Sequence, residues 1–165
     1  MVAIVLSFAL ALLPHSGSHA SGHFPTRGII TPGTNFAGIK IGDTQARVKT
    51  VWGGNYTTCT YCDDVTWLYE YPFGEPLGAA VRYKKGKVVA IFNLGSPAGW
   101  RTTTGLVMGD PISNIYSLVP SSSTVRCIGF DAIVTKTGKT VTAYYSAAGV
   151  IYGFAIIIPG LTVCQ

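Results

Sequence analysis

Apolar and polar residues alternate along most of the chain with the two-residue period of half-buried strands. Val65 to Tyr71, Leu77 to Tyr83 and Lys87 to Leu94 predict three strands in the first half. Phe130 to Lys136, Lys139 to Tyr145 and Val150 to Ile158 predict three more in the second. Lys84-Lys85-Gly86-Lys87 reads as a tight hairpin turn, with Thr137-Gly138 as its counterpart. A two-residue turn at Lys85-Gly86 makes Lys84 face Lys87, Arg82 face Val89 and Ala80 face Ile91. Tyr83, Val88, Val81, Ala90, Ala79 and Phe92 then line the opposite side as the expected core.

Two stretches break the alternation in the same way. Gly38-Ile39-Lys40-Ile41-Gly42-Asp43-Thr44 recurs sixty-seven residues later as Gly105-Leu106-Val107-Met108-Gly109-Asp110-Pro111. Each runs into a short helix, with Asp43 and Asp110 expected as N-caps that accept from first-turn N–H groups. Pro111 suits a first helical position. Gly53-Gly54 and Pro120 close the two helices. The expected fold is therefore α+β: two tandem repeats, 36–98 and 99–165, each a short helix followed by a three- to four-stranded antiparallel meander. One such unit buries a poor core alone, so the two are expected to pack as one body with both helices on one face of the sheet.

Residues 1–20 carry an apolar stretch, Pro14 and the small-residue ending Ser18-His19-Ala20, the pattern of a signal peptide. Residues 21–35 are rich in Pro, Gly and Thr and are expected to be mobile. The four cysteines, Cys59, Cys62, Cys127 and Cys164, all follow residue 20, and export to an oxidising compartment would pair them. Cys59 and Cys62 bridge locally. Cys127 has no near mate, which leaves Cys164 at the end of the last strand.

With 165 residues, 48% of them hydrophobic and 12% charged, the chain is folded and of single-domain size. The net charge of +5 favours anionic surroundings, yet the basic residues form no long run. That excludes a nucleic-acid arm. No membrane-spanning segment is expected after processing.

The Gly-x-x-x-Gly-Asp helix start, followed by a meander, resembles the SmpA/OmlA (BamE-like) module. Two such units in tandem also resemble the architecture of β-lactamase inhibitory protein. The wider pattern is similar to a group of exported bacterial proteins: Pro32-Gly33, Cys59-x-x-Cys62 before Thr66-Trp67-Leu68-Tyr69, Lys85-Gly86-Lys87-Val88-Val89, and Trp100-Arg101-Thr102. The resemblance implies a fold and an exported location, with inhibition of a secreted enzyme as one role by architectural analogy.

Candidate chemistry is sparse. Cys59-Thr60-Tyr61-Cys62 admits a thiol–disulfide redox reading, but Asp63-Asp64 directly after it disfavours a thiolate. No second CxxC or His pair accompanies it, so no metal is expected. His23 is the one histidine past residue 20, so a general base with an orienting partner is missing, and no enzyme is expected. No cofactor is implied. The remaining surface is the first hairpin, where Arg82, Lys84, Lys87, Val89 and Ile91, joined by Leu68, would form a mixed basic and apolar sheet face. Its expected partner is a protein or an anionic envelope polymer.

Overall fold

The computed structural model describes residues 23–70 and 77–164. The proposed export segment, together with Tyr71 and Glu75, lies outside the described residues. Among the described residues, two sheets and two short helices make the fold. The small sheet joins β1 (Arg27–Thr31), β2 (Asn35–Phe36) and β7 (Gly99–Thr102) in the order β2-β1-β7, with β1 parallel to β7. The large sheet has eight antiparallel strands in the order β3-β4-β5-β6-β11-β10-β9-β8. These are β3 (Thr57–Thr58), β4 (Thr66–Tyr69), β5 (Gly78–Lys84), β6 (Lys87–Leu94), β8 (Ser123–Arg126), β9 (Asp131–Thr137), β10 (Thr140–Ala147) and β11 (Val150–Ile157). Helix α1 (Gln45–Trp52) and helix α2 (Ile112–Leu118) have eight and seven residues.

This corrects the expected α+β pair of helix-plus-meander repeats. Strands dominate, and pairing of β6 with β11 merges the strands of both halves into one continuous sheet. Strand β7 is drawn away to pair with the N-terminal strand β1. The segment 21–35, expected to be mobile, is built in wherever it is described. Phe24 sits at ring-contact distance from Trp52, Tyr69 and Trp100, and the Trp100 indole N–H donates to the Pro25 carbonyl at 2.8 Å.

The recurring glycine-aspartate motif is a loop, not a cap. Asp43 Oδ2 accepts from the Lys40 N–H at 2.8 Å, and Asp110 Oδ2 accepts from the Val107 N–H at 2.9 Å. The cap of α1 is Thr44, whose hydroxyl accepts from the Arg47 N–H, whereas α2 starts after Pro111 without a side-chain cap. Each loop docks on a hairpin. Gly42 N–H donates to Val88 O and Val88 N–H to Asp43 O; Gly109 N–H donates to Ile151 O and Ile151 N–H to Asp110 O. Gly42 and Gly109 hold φ of 88° and 92°, a left-handed region that a side chain would disfavour.

Both faces of the large sheet carry a buried core over its central strands. On one face, Val48 and Trp52 of α1 and Ile115 of α2 pack with Trp67, Tyr69, Val81, Tyr83, Ile91 and Phe154. On the other, Ala80, Ala90, Phe92, Ala143, Tyr145 and Ile157 form a second core, with Leu161 and Val163 packed on it. The C-terminal segment therefore acts as a strap. It leaves the sheet where the Ile158 N–H donates to Val89 O, and it ends at the Cys127–Cys164 disulfide.

Candidate functional site

The expected binding face does not form. The β5–β6 turn is Lys85-Gly86 and Lys84 does oppose Lys87, but the register shifts after Tyr83↔Val88. The extra residue is Val89, so Arg82 opposes Ala90 and Ala80 opposes Phe92. A one-residue bulge moves every later side chain to the other face. Ile91 thus joins the helix-side core, while Ala90 and Phe92, expected in that core, line the second one. Val89 is buried at the bulge, and Leu68 packs against the second core. Arg82 is engaged internally: its Nε and Nη2 both donate to Asp64 Oδ2, at 2.9 and 2.8 Å. The second hairpin turn is also corrected by one residue, to Gly138-Lys139.

Lys84 and Lys87 remain exposed, and Lys85 stands between them at the turn, also exposed. Lys85 and Gly86 have φ of 51° and 72°, the mirror-image turn that matches strand twist. This tip projects from one end of the eight-stranded sheet. The β3–β4 loop lies at the same end, because Thr66 of β4 pairs with Arg82 of β5. Four ties hold that loop: the Cys59–Cys62 disulfide, the Arg82–Asp64 ion pair, and backbone bonds from Tyr83 N–H to Val65 O and from Cys59 N–H to Thr66 O. At its apex Tyr61 is 88% exposed, and Val65 is half-exposed.

This end of the sheet therefore presents three ammonium groups at the β5–β6 turn and one exposed aromatic ring on the tied β3–β4 loop. Arg82–Asp64 is the one ion pair among the described residues, so none of the three lysines is engaged in one. Lysines of this kind offer point charges with freely rotating donors, suited to phosphate or carboxylate groups spaced along a flexible chain. The ring of Tyr61 offers a flat face for a sugar or polyol unit. Sequence reasoning overlooked Tyr61. Its position inside a four-residue disulfide loop was the available clue, since so short a loop leaves its side chain nowhere to fold back.

A second cationic feature lies on the outer face of the small sheet. There Arg27, Ile29, Gly99, Arg101 and Val107 border a shallow cavity of about 600 Å³. Among the described residues no group of three or more His, Cys, Asp or Glu is placed to hold a metal ion, and no helix is long and apolar enough to cross a membrane.

No family model matches the chain, and no curated protein matches it. Similar solved structures include the following two. One, an extracellular protein containing a SCP domain from Bacillus anthracis, superposes with a TM-score of 0.53 at 10% identity, over 72% of this chain and 44% of its own. The other, a cysteine-rich secretory protein from Staphylococcus aureus, gives a TM-score of 0.48 at 11% identity, over 79% and 50%. The chain spans less than half the length of the first. The first is described as a SCP-domain protein and not as a SmpA/OmlA module, and the BamE-like resemblance is corrected accordingly. At this identity the first likeness shows a shared fold with part of an extracellular protein.

Proposed function

We propose that the chain is an extracytoplasmic, non-catalytic binding module that engages a linear anionic polymer of the cell envelope through the lysine-bearing end of its large sheet. The observation that carries this reading is the β5–β6 tip, where Lys84, Lys85 and Lys87 are exposed and none forms an ion pair among the described residues, at the same end of the sheet as the exposed ring of Tyr61. Compartment and chemistry support it. No cysteine among the described residues is free, and two structural disulfides persist only in an oxidising environment. The similar structure from Bacillus anthracis is itself described as extracellular. The Cys59–Cys62 bridge sits between two strands rather than at a helix N-terminus, so the helix dipole that favours a redox thiolate is missing, and the carboxylates of Asp63 and Asp64 directly after it oppose one.

Retention on immobilised poly(glycerol phosphate) tests the reading. Each exposed charge contact contributes about 0.2–1 kcal/mol. Reversing Lys84, Lys85 and Lys87 to Glu should therefore weaken binding by roughly tenfold or more, and leave the melting temperature nearly unchanged. Binding of the native chain should also fall steeply with added salt. Undiminished retention of the triple variant would overturn the assignment.

A further inference from the structure

Strand registers place a second basic tip on the same rim. One row of paired residues runs across five strands: Arg82 of β5, Ala90 of β6, Ile157 of β11, Val141 of β10 and Lys136 of β9. Beyond that row, at one end of the sheet, lie both the Lys85-Gly86 turn and the Gly138-Lys139 turn. Lys136 and Lys139 are exposed, and no acidic residue occurs between Ala132 and Cys164. The centres of the two hairpins are three strands apart in the sheet order. At about 4.8 Å per strand that is a separation of about 14 Å. Acidic groups at this end lie on the first tip's side: Asp64 is paired with Arg82, Asp43 adjoins Lys87 through the Thr44–Lys87 bridge, and Asp63 is in the β3–β4 loop.

The second tip is held in place at its root. The Thr140 hydroxyl donates to Gly33 O at 2.8 Å, and the Gly33 N–H donates to the Thr142 hydroxyl at 2.8 Å. The turn between β1 and β2 thus braces the β9–β10 hairpin from outside. A side chain at Gly33 would collide with Thr137, so the brace requires glycine there. Two cationic tips on one sheet, with both roots fixed, keep a constant spacing.

From this placement we infer that Lys136 and Lys139 form the second prong of one binding rim, and that the ligand is a linear polyanion long enough to lie across both prongs. This rests on the proposed function. A single small anion can satisfy one tip alone. A chain that reaches both makes its second contact intramolecularly, which multiplies affinity with no new kind of interaction.

The test compares three variants of the full chain for binding to poly(glycerol phosphate), with melting curves run on each. The first carries Lys136→Glu and Lys139→Glu. The second reverses Lys84, Lys85 and Lys87. The third reverses Arg27 and Arg101, changing net charge as much as the first but at the small sheet. The expected result is a loss of tenfold or more in the first and second variants, with less than a twofold change in the third. Loss confined to the second variant would overturn the second prong and leave the proposed function standing. Equal loss in the first and third would show attraction to net charge alone and overturn the rim. No loss in any variant would overturn both readings. Should the Glu pair melt early, Lys136→Gln with Lys139→Gln serves in its place.

Discussion

Removing the Cys127–Cys164 bridge should cost the protein more than removing Cys59–Cys62, and for two separable reasons. The partners are 37 residues apart in one case and 3 in the other. Chain-entropy estimates give about 4 kcal/mol for a loop of the first size and about 1.6 kcal/mol for the second. The long bridge also pins the strap, whose Leu161 and Val163 pack against the second core. Cys127→Ser with Cys164→Ser should therefore lower the melting temperature by about 10 °C, at 2–4 °C per kcal/mol for a chain of this size. Cys59→Ser with Cys62→Ser should lower it by about half that or less. Thermal unfolding followed by circular dichroism measures both. Amide exchange adds a local readout, because residues 158–164 should lose protection in the first variant only. An equal or larger loss from the short bridge, or a strap still protected without its disulfide, would refute this account of the second face.

Alkaline pH should unfold the protein from within. Burial pushes the Tyr144 hydroxyl up to about 12, and raises Tyr69 and Tyr83 further, with neighbouring tyrosines adding to the rise. These hydroxyls hold their protons longer in the folded state than in the unfolded one. Their contribution is therefore complete below about pH 10 and is lost as pH climbs from there toward 12. A tyrosinate absorbance titration should show part of the nine tyrosines ionising only as the fold is lost, whereas nine ordinary titrations in a folded protein would contradict it. At the β1–β7 contact, a methyl group on Gly99 would meet the Thr26 carbonyl oxygen, so Gly99→Ala should cost about 1–3 kcal/mol by denaturant unfolding. An unaffected midpoint would show that the strands can separate without penalty.

The hairpins are legible in the sequence because their information is local. Lys85-Gly86 marks its own turn, and alternation on either side marks β5 and β6. The bulge at Val89 is not legible, since an extra residue inside an apolar run leaves the alternation no place to show it. That single residue sends Ile91 to the helix-side core and removes the expected binding face. Asp43 and Asp110 stand out as a pair, but their role does not. An aspartate before a helix suits a cap and a turn equally well, and the backbone path decides. The pairing of β1 with β7 and the strap over the second face both join segments far apart in sequence, and no local pattern records such partners. Of the candidate site, Lys84 and Lys87 follow from the turn. Tyr61 follows from its four-residue disulfide loop, but its place at the lysine end of the sheet, like the second tip, needs the strand order.

The parallel seating of β1 against β7 also sets an order of events. The bonds that lock the N-terminal segment join residues 75, 107 and 109 positions apart: Trp100 to Pro25, Thr140 to Gly33, and Gly33 to Thr142. Contacts of such separation close late and slowly. A nascent chain can close the local β1–β2 pairing early, but Phe24, Pro25 and Gly33 wait for their partners until β7 and then β10 exist. Through that interval Trp52 and Tyr69 lack the ring that completes their cluster. A polypeptide whose residues 24–31 find their places only after β7 exists stays threadable for much of its synthesis, which is the condition under which a chain can be passed through a membrane before it folds.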